Sequence, residues 1–173
     1  GLRDPHDVSL ASWFEYGRDR LADDPEAYDT VLACYRSLDD EGRSSTDASL
    51  LQAIGATGGE RGIAFLRESL RDAGMEPWQA ATAAVAIADR MVADGTRLEF
   101  LCGTLRDANL PVQTRLGIVW QTHYRFEAGR VPLAFVQALE ALATECPPGD
   151  DADGLRQVLK DVQAGGPPAR EDE

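Results

Sequence analysis

Apolar residues recur along this sequence at a spacing of 35 residues. Phe65, Phe100 and Phe135 stand at this interval. Two more apolar columns keep it: Ile63, Leu98 and Leu133 form one, and Leu66, Leu101 and Val136 form the other. Self-similarity at a period of about 20 to 50 residues marks repeat architectures, in which each unit buries its apolar face against a neighbour. We therefore predict stacked repeats, with the three phenylalanines at equivalent buried positions.

The apolar residues recur at steps of three and four, which is the helical period, and no segment of useful length alternates at period two. This pattern predicts an opening helix at 9–22. A second helix is expected to start at Asp24 and Pro25, since a capping carboxylate precedes a proline at the first helical position. A polar connection over 39–47 then leads into a short helix around Leu51. The chain is predicted to be all-helical.

Two threonines precede the helices that carry the repeated phenylalanines. Thr57 with Glu60, and Thr96 with Glu99, fit the S/T-x-x-E pattern. In that pattern the hydroxyl and the carboxylate satisfy unpaired N–H groups at a helix start. We predict a capping box at both places.

Each of these helices ends at Arg-Asp-Ala, and a short turn leads to Pro77 or Pro111 at the start of an alanine-rich or valine-rich partner helix. This order resembles HEAT repeats over residues 27–146. The tetratricopeptide repeat has a similar period, but its Trp…Leu-Gly…Tyr pattern is missing. The HEAT resemblance implies an α-solenoid of about four antiparallel helix hairpins with an extra N-terminal helix. We expect one repeat domain over 9–164, with 1–8 as a disordered or boundary segment and a disordered tail at 165–173.

The charge of the chain bears on its partners. It carries 30 acidic and 17 basic residues, a formal net charge of −13. Because proteins bind nucleic acid by neutralising phosphates with lysine and arginine, we expect no nucleic-acid partner. The same charge disfavours anionic membrane surfaces, and no apolar run approaches the ~20 residues of a membrane span. The three cysteines, Cys34, Cys102 and Cys146, form no C-x-x-C pair, which favours a reducing, cytoplasmic location without disulfides.

Candidate catalytic and metal motifs fail on their spacing. The glycine-rich segment 55–62 lacks the lysine of a phosphate-binding loop, so we interpret it as the end of one helix and the start of the next. The acidic segment 150–154 has Lys160 where a calcium loop needs glutamate. His6 and His123, the only histidines, lie at no zinc-ligand spacing. We therefore expect no catalytic residues, no metal site and no cofactor.

One helix segment concentrates polar aromatic side chains. Trp120, His123 and Tyr124 lie three or four residues apart, so they share a helix face, although Trp120 also continues a core line from Leu116. Aromatic residues and arginine are enriched in binding hot spots. The predicted partner-binding residues, all on the second helices of the hairpins, are Trp78, Arg90, Arg115, Trp120, His123, Tyr124 and Arg125.

Three arginines also follow the repeat. Arg36, Arg71 and Arg106 recur at the same interval of 35 residues, and we expect them to pair with Asp72 and Asp107 between stacked units. An anion-binding stripe is the less favoured reading.

Three functions fit this sequence. The first is a non-enzymatic interaction or scaffolding module that binds a protein or peptide on its repeat surface. The second is a HEAT-like enzyme of the bilin lyase or DNA glycosylase type. A glycosylase needs a basic groove that the charge does not supply, and no cysteine or histidine motif stands out for a lyase. The third is a regulatory domain of a larger protein.

Overall fold

The structure is a computed structural model that describes residues 23–38, 40–91, 94–123 and 131–164, without the side chains of 40–48 and 94. Within these ranges the chain is helical and contains no strand, as the helical period predicted. The predicted helix at 9–22 and the segments 1–8 and 165–173 lie outside the described residues. In the described part, no helix combines the length and the apolar character needed to cross a membrane.

Eight helices make up the described part of the chain. They are α1 (Pro25–Ser37), α2 (Asp40–Thr57), α3 (Gly59–Arg71), α4 (Pro77–Asp89), α5 (Asp94–Arg106), α6 (Val112–Thr122), α7 (Leu133–Glu145) and α8 (Asp150–Ala164).

The start of α1 confirms the predicted cap. Asp24 Oδ1 accepts hydrogen bonds from the backbone N–H groups of Glu26 at 2.9 Å and Ala27 at 3.3 Å. Pro25 occupies the first turn, where backbone N–H groups have no partner within the helix, so the N–H that proline lacks costs no helical hydrogen bond. Local sequence alone therefore determines where this helix begins.

Helix α2 is longer than its apolar pattern predicts. The stretch expected as a polar connection is helical from Asp40, so α2 runs for 18 residues to Thr57. Periodicity reports which face of a helix is buried, and a polar turn of helix gives no such signal. The prediction of a short helix after a loop was wrong for this reason.

Both predicted capping boxes are also wrong. Thr57 is the last residue of α2, and its Oγ1 donates to Ala53 O at 2.8 Å. The residue that caps α3 is Gly58, which makes no side-chain bond. Helix α5 begins at Asp94, so Thr96 lies inside its first turn. A threonine hydroxyl bonds equally well to the preceding turn of its own helix, which the motif alone does not distinguish.

The glycine-rich segment joins α2 to α3, as predicted. Gly59 adopts a positive φ of 51°, which favours glycine. A Cβ added to Gly62 would collide with the carbonyl oxygen of Ile54, and one added to Gly58 would collide with the Tyr28 ring. These two glycines allow α3 to approach α2 and α1 closely.

The turns after α3 and α5 repeat bond for bond. Asp72 N–H donates to Ser69 O, and Asp72 Oδ1 accepts from Gly74 N–H at 2.9 Å. The same bonds recur 35 residues later: Asp107 N–H donates to Thr104 O, and Asp107 Oδ1 accepts from Asn109 N–H at 3.0 Å. The next bonds agree as well, because Met75 donates to Asp72 O and Leu110 donates to Asp107 O. The sequence repeat is thus a structural repeat at these turns.

The helices group into two compact units, divided between Arg90 and Met91. In the first unit, α2 packs against α1, α3 and α4, and α3 packs against α4. In the second unit, α7 packs against α5, α6 and α8, and α5 also packs against α6.

The three apolar columns differ in burial. Leu66, Leu101 and Val136 are all buried. The phenylalanine column is not equivalent, because Phe135 is fully buried whereas Phe65 and Phe100 are half-buried. The prediction of three equivalent buried phenylalanines was therefore wrong. The third column differs as well, because Leu133 is 47% exposed whereas Ile63 and Leu98 are half-buried.

Candidate functional site

Helices α4 and α6, the second helices of the two hairpins with matching turns, expose little of their length. In α4 every residue from Gln79 to Ala88 is buried, and in α6 the same holds from Thr114 to Val119. Their central faces therefore offer no surface for a partner. What these helices present to solvent lies at their ends.

Trp78 is the aromatic side chain that α4 exposes. It lies in the first turn, directly after Pro77, and is 50% exposed. Its carbonyl oxygen accepts a hydrogen bond from Thr82 Oγ1 at 3.0 Å, which ties the backbone of the first turn to the next. The indole is thus held on a regular helix with half of its surface open to solvent.

The repeat supplies an internal comparison for this position. Gln113 stands 35 residues after Trp78, also in the first turn of its helix and also exposed. The fold accepts a polar side chain at the equivalent place, so packing of the hairpin does not require an indole there.

Arg90, predicted as a partner contact, is paired within its own unit. It follows the end of α4, and its Nη2 lies 2.6 Å from Asp23 Oδ1. This ion pair joins the end of α4 to the residue just before the Asp24 cap. The Arg90 side chain is partly buried, while Asp23 is exposed.

Arg115 does not present a cationic group at the surface, contrary to expectation. Its side chain is 3% exposed, and its Nη2 donates to Glu145 Oε2 at 2.8 Å. Nη1 donates to Leu105 O at 3.4 Å, one of the carbonyl groups that the end of α5 leaves without a helical partner. The buried Nε has no hydrogen-bond partner. Arg115 therefore connects α5, α6 and α7 inside the second unit.

This contact perturbs Glu145. The hydrogen bond from Arg115 lowers the pKa of the Glu145 carboxyl, burial opposes the effect, and the positive charge of Arg115 adds to the lowering. Cys146 follows directly, and burial together with the charge of Asp151 raises the pKa of its thiol, against the opposing charge of Arg156. A raised pKa keeps this thiol protonated, so it is a poor nucleophile.

The predicted arginine ladder is wrong. Arg106 Nη2 instead donates to Ala134 O, in the first turn of α7, at 3.1 Å. Among the ion pairs of the described residues, none joins Arg36, Arg71 or Arg106 to Asp72 or Asp107. Both aspartates accept bonds from turn N–H groups instead.

Sequence patterns missed Arg61, which links α3 to α1. Its guanidinium lies 4.6 Å from the centre of the Tyr28 ring and 2.8 Å from Asp29 Oδ1. Asp29 stands 32 residues before Arg61, so the pair does not follow the repeat interval and has no local signal.

Trp120 and His123 form the predicted aromatic pair at the end of α6. Their rings meet edge to face, with centroids 6.2 Å apart, and both side chains are half-buried. His123 Nδ1 lies 3.0 Å from Val119 O. The indole also lies against Gly154 in α8, where an added Cβ would stand 3.0 Å from Trp120 Cη2. The two remaining predicted contacts, Tyr124 and Arg125, lie outside the described residues.

No group of three or more His, Cys, Asp or Glu residues in the described part of the chain is placed to hold a metal ion. Asp150, Asp151 and Asp153 occupy the first turn of α8, where negative carboxylates interact favourably with the positive end of the helix dipole. Cys34, Cys102 and Cys146 are free thiols.

No family model matches the chain, and neither does any curated protein or solved structure.

Proposed function

We propose that the chain is a HEAT-like repeat protein, an α-solenoid of antiparallel helix hairpins, and that it acts as a non-enzymatic interaction or scaffolding module. In this proposal it binds a protein or peptide on its helical-repeat surface. Stacked hairpins create extended surfaces of this kind, and each repeat adds side chains at regular intervals.

The observation that carries the proposal is the repeated turn. The hydrogen bonds of Asp72 recur at Asp107, together with the bonds that Met75 and Leu110 donate. The following helices agree too, because Ala80 N–H donates to Glu76 O and Arg115 N–H donates to Pro111 O. Two hairpins with the same turn geometry at the sequence period support construction from equivalent units.

The packing within each unit supports the same reading. Helices adjacent in sequence pack in pairs, and in the first unit α2 also packs against α4, which joins the second helices of successive hairpins. In the second unit α5 packs against α7, which joins successive first helices. Contacts between like helices of neighbouring hairpins are typical of solenoids.

The test is capture of a partner by the full chain. The immobilised protein is incubated with a lysate of the cells from which it comes, and retained proteins are identified by mass spectrometry. Two glycine variants serve as controls. Gly103→Ala places a methyl group in open space and keeps the fold, whereas Gly62→Val drives a side chain into the Ile54 carbonyl and disrupts the packing of α3 on α2.

We expect a protein that the unmodified chain and Gly103→Ala both retain and that Gly62→Val loses. Salt-sensitive binding to plain duplex DNA, or a bilin absorption band that appears on mixing, would instead support one of the enzyme classes. A crystal structure in which the hairpins close into a bundle would contradict the solenoid.

A further inference from the structure

We propose that Asp23 is a salt-sensitive clasp of the first unit, in which an ion pair with Arg90 holds a strained backbone that joins the start of α1 to the ends of α2 and α4. Raised ionic strength releases this clasp and frees the start of α1. The inference concerns a conformational device and does not depend on the proposed function.

The backbone of Asp23 is strained. Its φ is 60°, and within the described ranges it is the residue other than glycine that adopts a positive φ. This left-handed conformation brings the Cβ of an L-residue close to the following carbonyl oxygen, which makes it unfavourable. Such a conformation persists only where surrounding contacts hold it in place.

Two contacts hold Asp23. Its N–H donates to Ala56 O at 3.3 Å, and this carbonyl lies in the last turn of α2, where the helix itself supplies no donor. Its Oδ1 accepts a hydrogen bond from Arg90 Nη2 at 2.6 Å, directly after the end of α4. Asp24, the next residue, caps α1. Asp23 therefore ties three helix ends together through its N–H group and its carboxylate.

The turn between α2 and α3 leaves room for this carboxylate. A Cβ added to Gly59 would stand 3.2 Å from Asp23 Oδ1, which is closer than ordinary van der Waals contact. A side chain at position 59 would therefore crowd the oxygen that Arg90 binds.

The exposure of the ion pair makes the clasp sensitive to salt. The side chain of Asp23 is 60% exposed and that of Arg90 is 29% exposed, so dissolved ions reach the pair and screen it. An exposed pair contributes little net free energy. That small contribution matters at Asp23 because it opposes backbone strain at the same residue. Screening therefore shifts the balance towards the open form.

A second ion pair of α1 provides a matched control. Asp29 pairs with Arg61 at 2.8 Å, and both side chains are 62% exposed. This pair also joins α1 to another helix, but Asp29 lies inside α1 and its φ is not positive. Salt screens both pairs, whereas only the clasp couples screening to a strained backbone and its hydrogen bond.

The experiment measures amide hydrogen exchange of the full chain by NMR, at low salt and at about 1 M sodium chloride, where the screening length falls to about 3 Å. The reporter is the Asp23 N–H, and the amides of α7 provide a reference in the second unit. Protection is expressed relative to the exchange rate of the unstructured sequence at the same salt concentration. The variants are Arg90→Gln, which removes the ion pair, Asp29→Asn, which removes the control pair, and Asp23→Gly, which removes both the carboxylate and the strain.

We expect the protection of the Asp23 N–H to fall about twofold to fivefold at high salt, which corresponds to the net value of an exposed ion pair. Arg90→Gln should lower it to the same extent already at low salt, and Asp29→Asn should leave it unchanged. In Asp23→Gly, protection of the amide at position 23 should not respond to salt, because glycine adopts the left-handed conformation without strain.

Four results would overturn the inference. The first is an Asp23 N–H that is unprotected at low salt or whose protection does not change with salt. The second is an Arg90→Gln variant that matches the unmodified chain. The third is an equal loss of protection in Asp29→Asn, and the fourth is a salt dependence that persists in Asp23→Gly.

Discussion

The buried Arg115 and the exposed Glu145 form an ion pair in the second unit, with Arg115 Nη2 at 2.8 Å from Glu145 Oε2. The residues 35 positions earlier are Ala80 and Leu110, and both are buried and apolar. The pair thus occupies two positions whose equivalents one repeat earlier are apolar. It joins the first turn of α6 to the last residue of α7, and the second bond of Arg115 reaches the end of α5.

The first prediction concerns this pair. Glu145→Gln should destabilise the protein more than Arg115→Met. Gln leaves a buried guanidinium without its opposite charge, whereas Met fills a similar volume and leaves only an exposed carboxylate behind. Free energies of unfolding from urea titrations followed by circular dichroism compare the two variants. A more stable Glu145→Gln would show that the pair contributes little to the second unit.

The second prediction is a pH dependence. Because Arg115 holds the pKa of Glu145 below its usual value, the pair stabilises the fold fully above the pKa that Glu145 has in the unfolded chain. This contribution is lost as the pH falls through the lowered pKa. The unmodified protein should therefore lose more stability than Glu145→Gln between about pH 7 and about pH 3. Parallel curves of unfolding free energy against pH would contradict the assignment.

The third prediction follows from the unequal burial of the phenylalanines. Phe135→Ala should cost about 3–5 kcal/mol, the usual range for a fully buried phenylalanine. Phe65→Ala and Phe100→Ala should cost less, because solvent already reaches both side chains. Melting temperatures of the three variants provide the comparison, and equal losses would mean that the phenylalanine column is equivalent after all.

The fourth prediction pairs two glycines. Gly103 lies inside α5 with nothing within 4 Å of an added Cβ, so Gly103→Ala should stabilise the helix by about 0.5–1 kcal/mol. Gly62→Ala should destabilise by about 1–3 kcal/mol, because the new methyl group meets the carbonyl oxygen of Ile54. Chemical unfolding measures both changes. Stabilisation by Gly62→Ala would mean that α3 and α2 lie farther apart than described.

Several features of the fold were predictable from the sequence because they depend on few neighbouring residues. The Asp24 cap is made by a carboxylate and the N–H groups two and three residues later. The repeated turns at Asp72 and Asp107 close through bonds that span three residues or fewer. Such contacts form wherever the local sequence recurs, so they repeat together with the sequence at 35 residues.

The candidate site was less predictable. The sequence marked Trp78 as an aromatic residue on a helix of alanine and valine, and the structure leaves it half-exposed. It marked Arg115 by the same argument, and the structure buries it against Glu145. Residue type does not separate these two cases, because exposure depends on which helix packs over each position.

Interactions between residues close in sequence account for the helices of the described residues, the start of α1 and the turns at Asp72 and Asp107. Contacts between distant residues decide which phenylalanine is fully buried, whether Thr57 caps a helix or ends one, and which arginines are paired. The difference is one of range: backbone hydrogen bonds in helices and turns join residues close in sequence, whereas an ion pair such as that of Arg115 with Glu145 joins residues 30 positions apart.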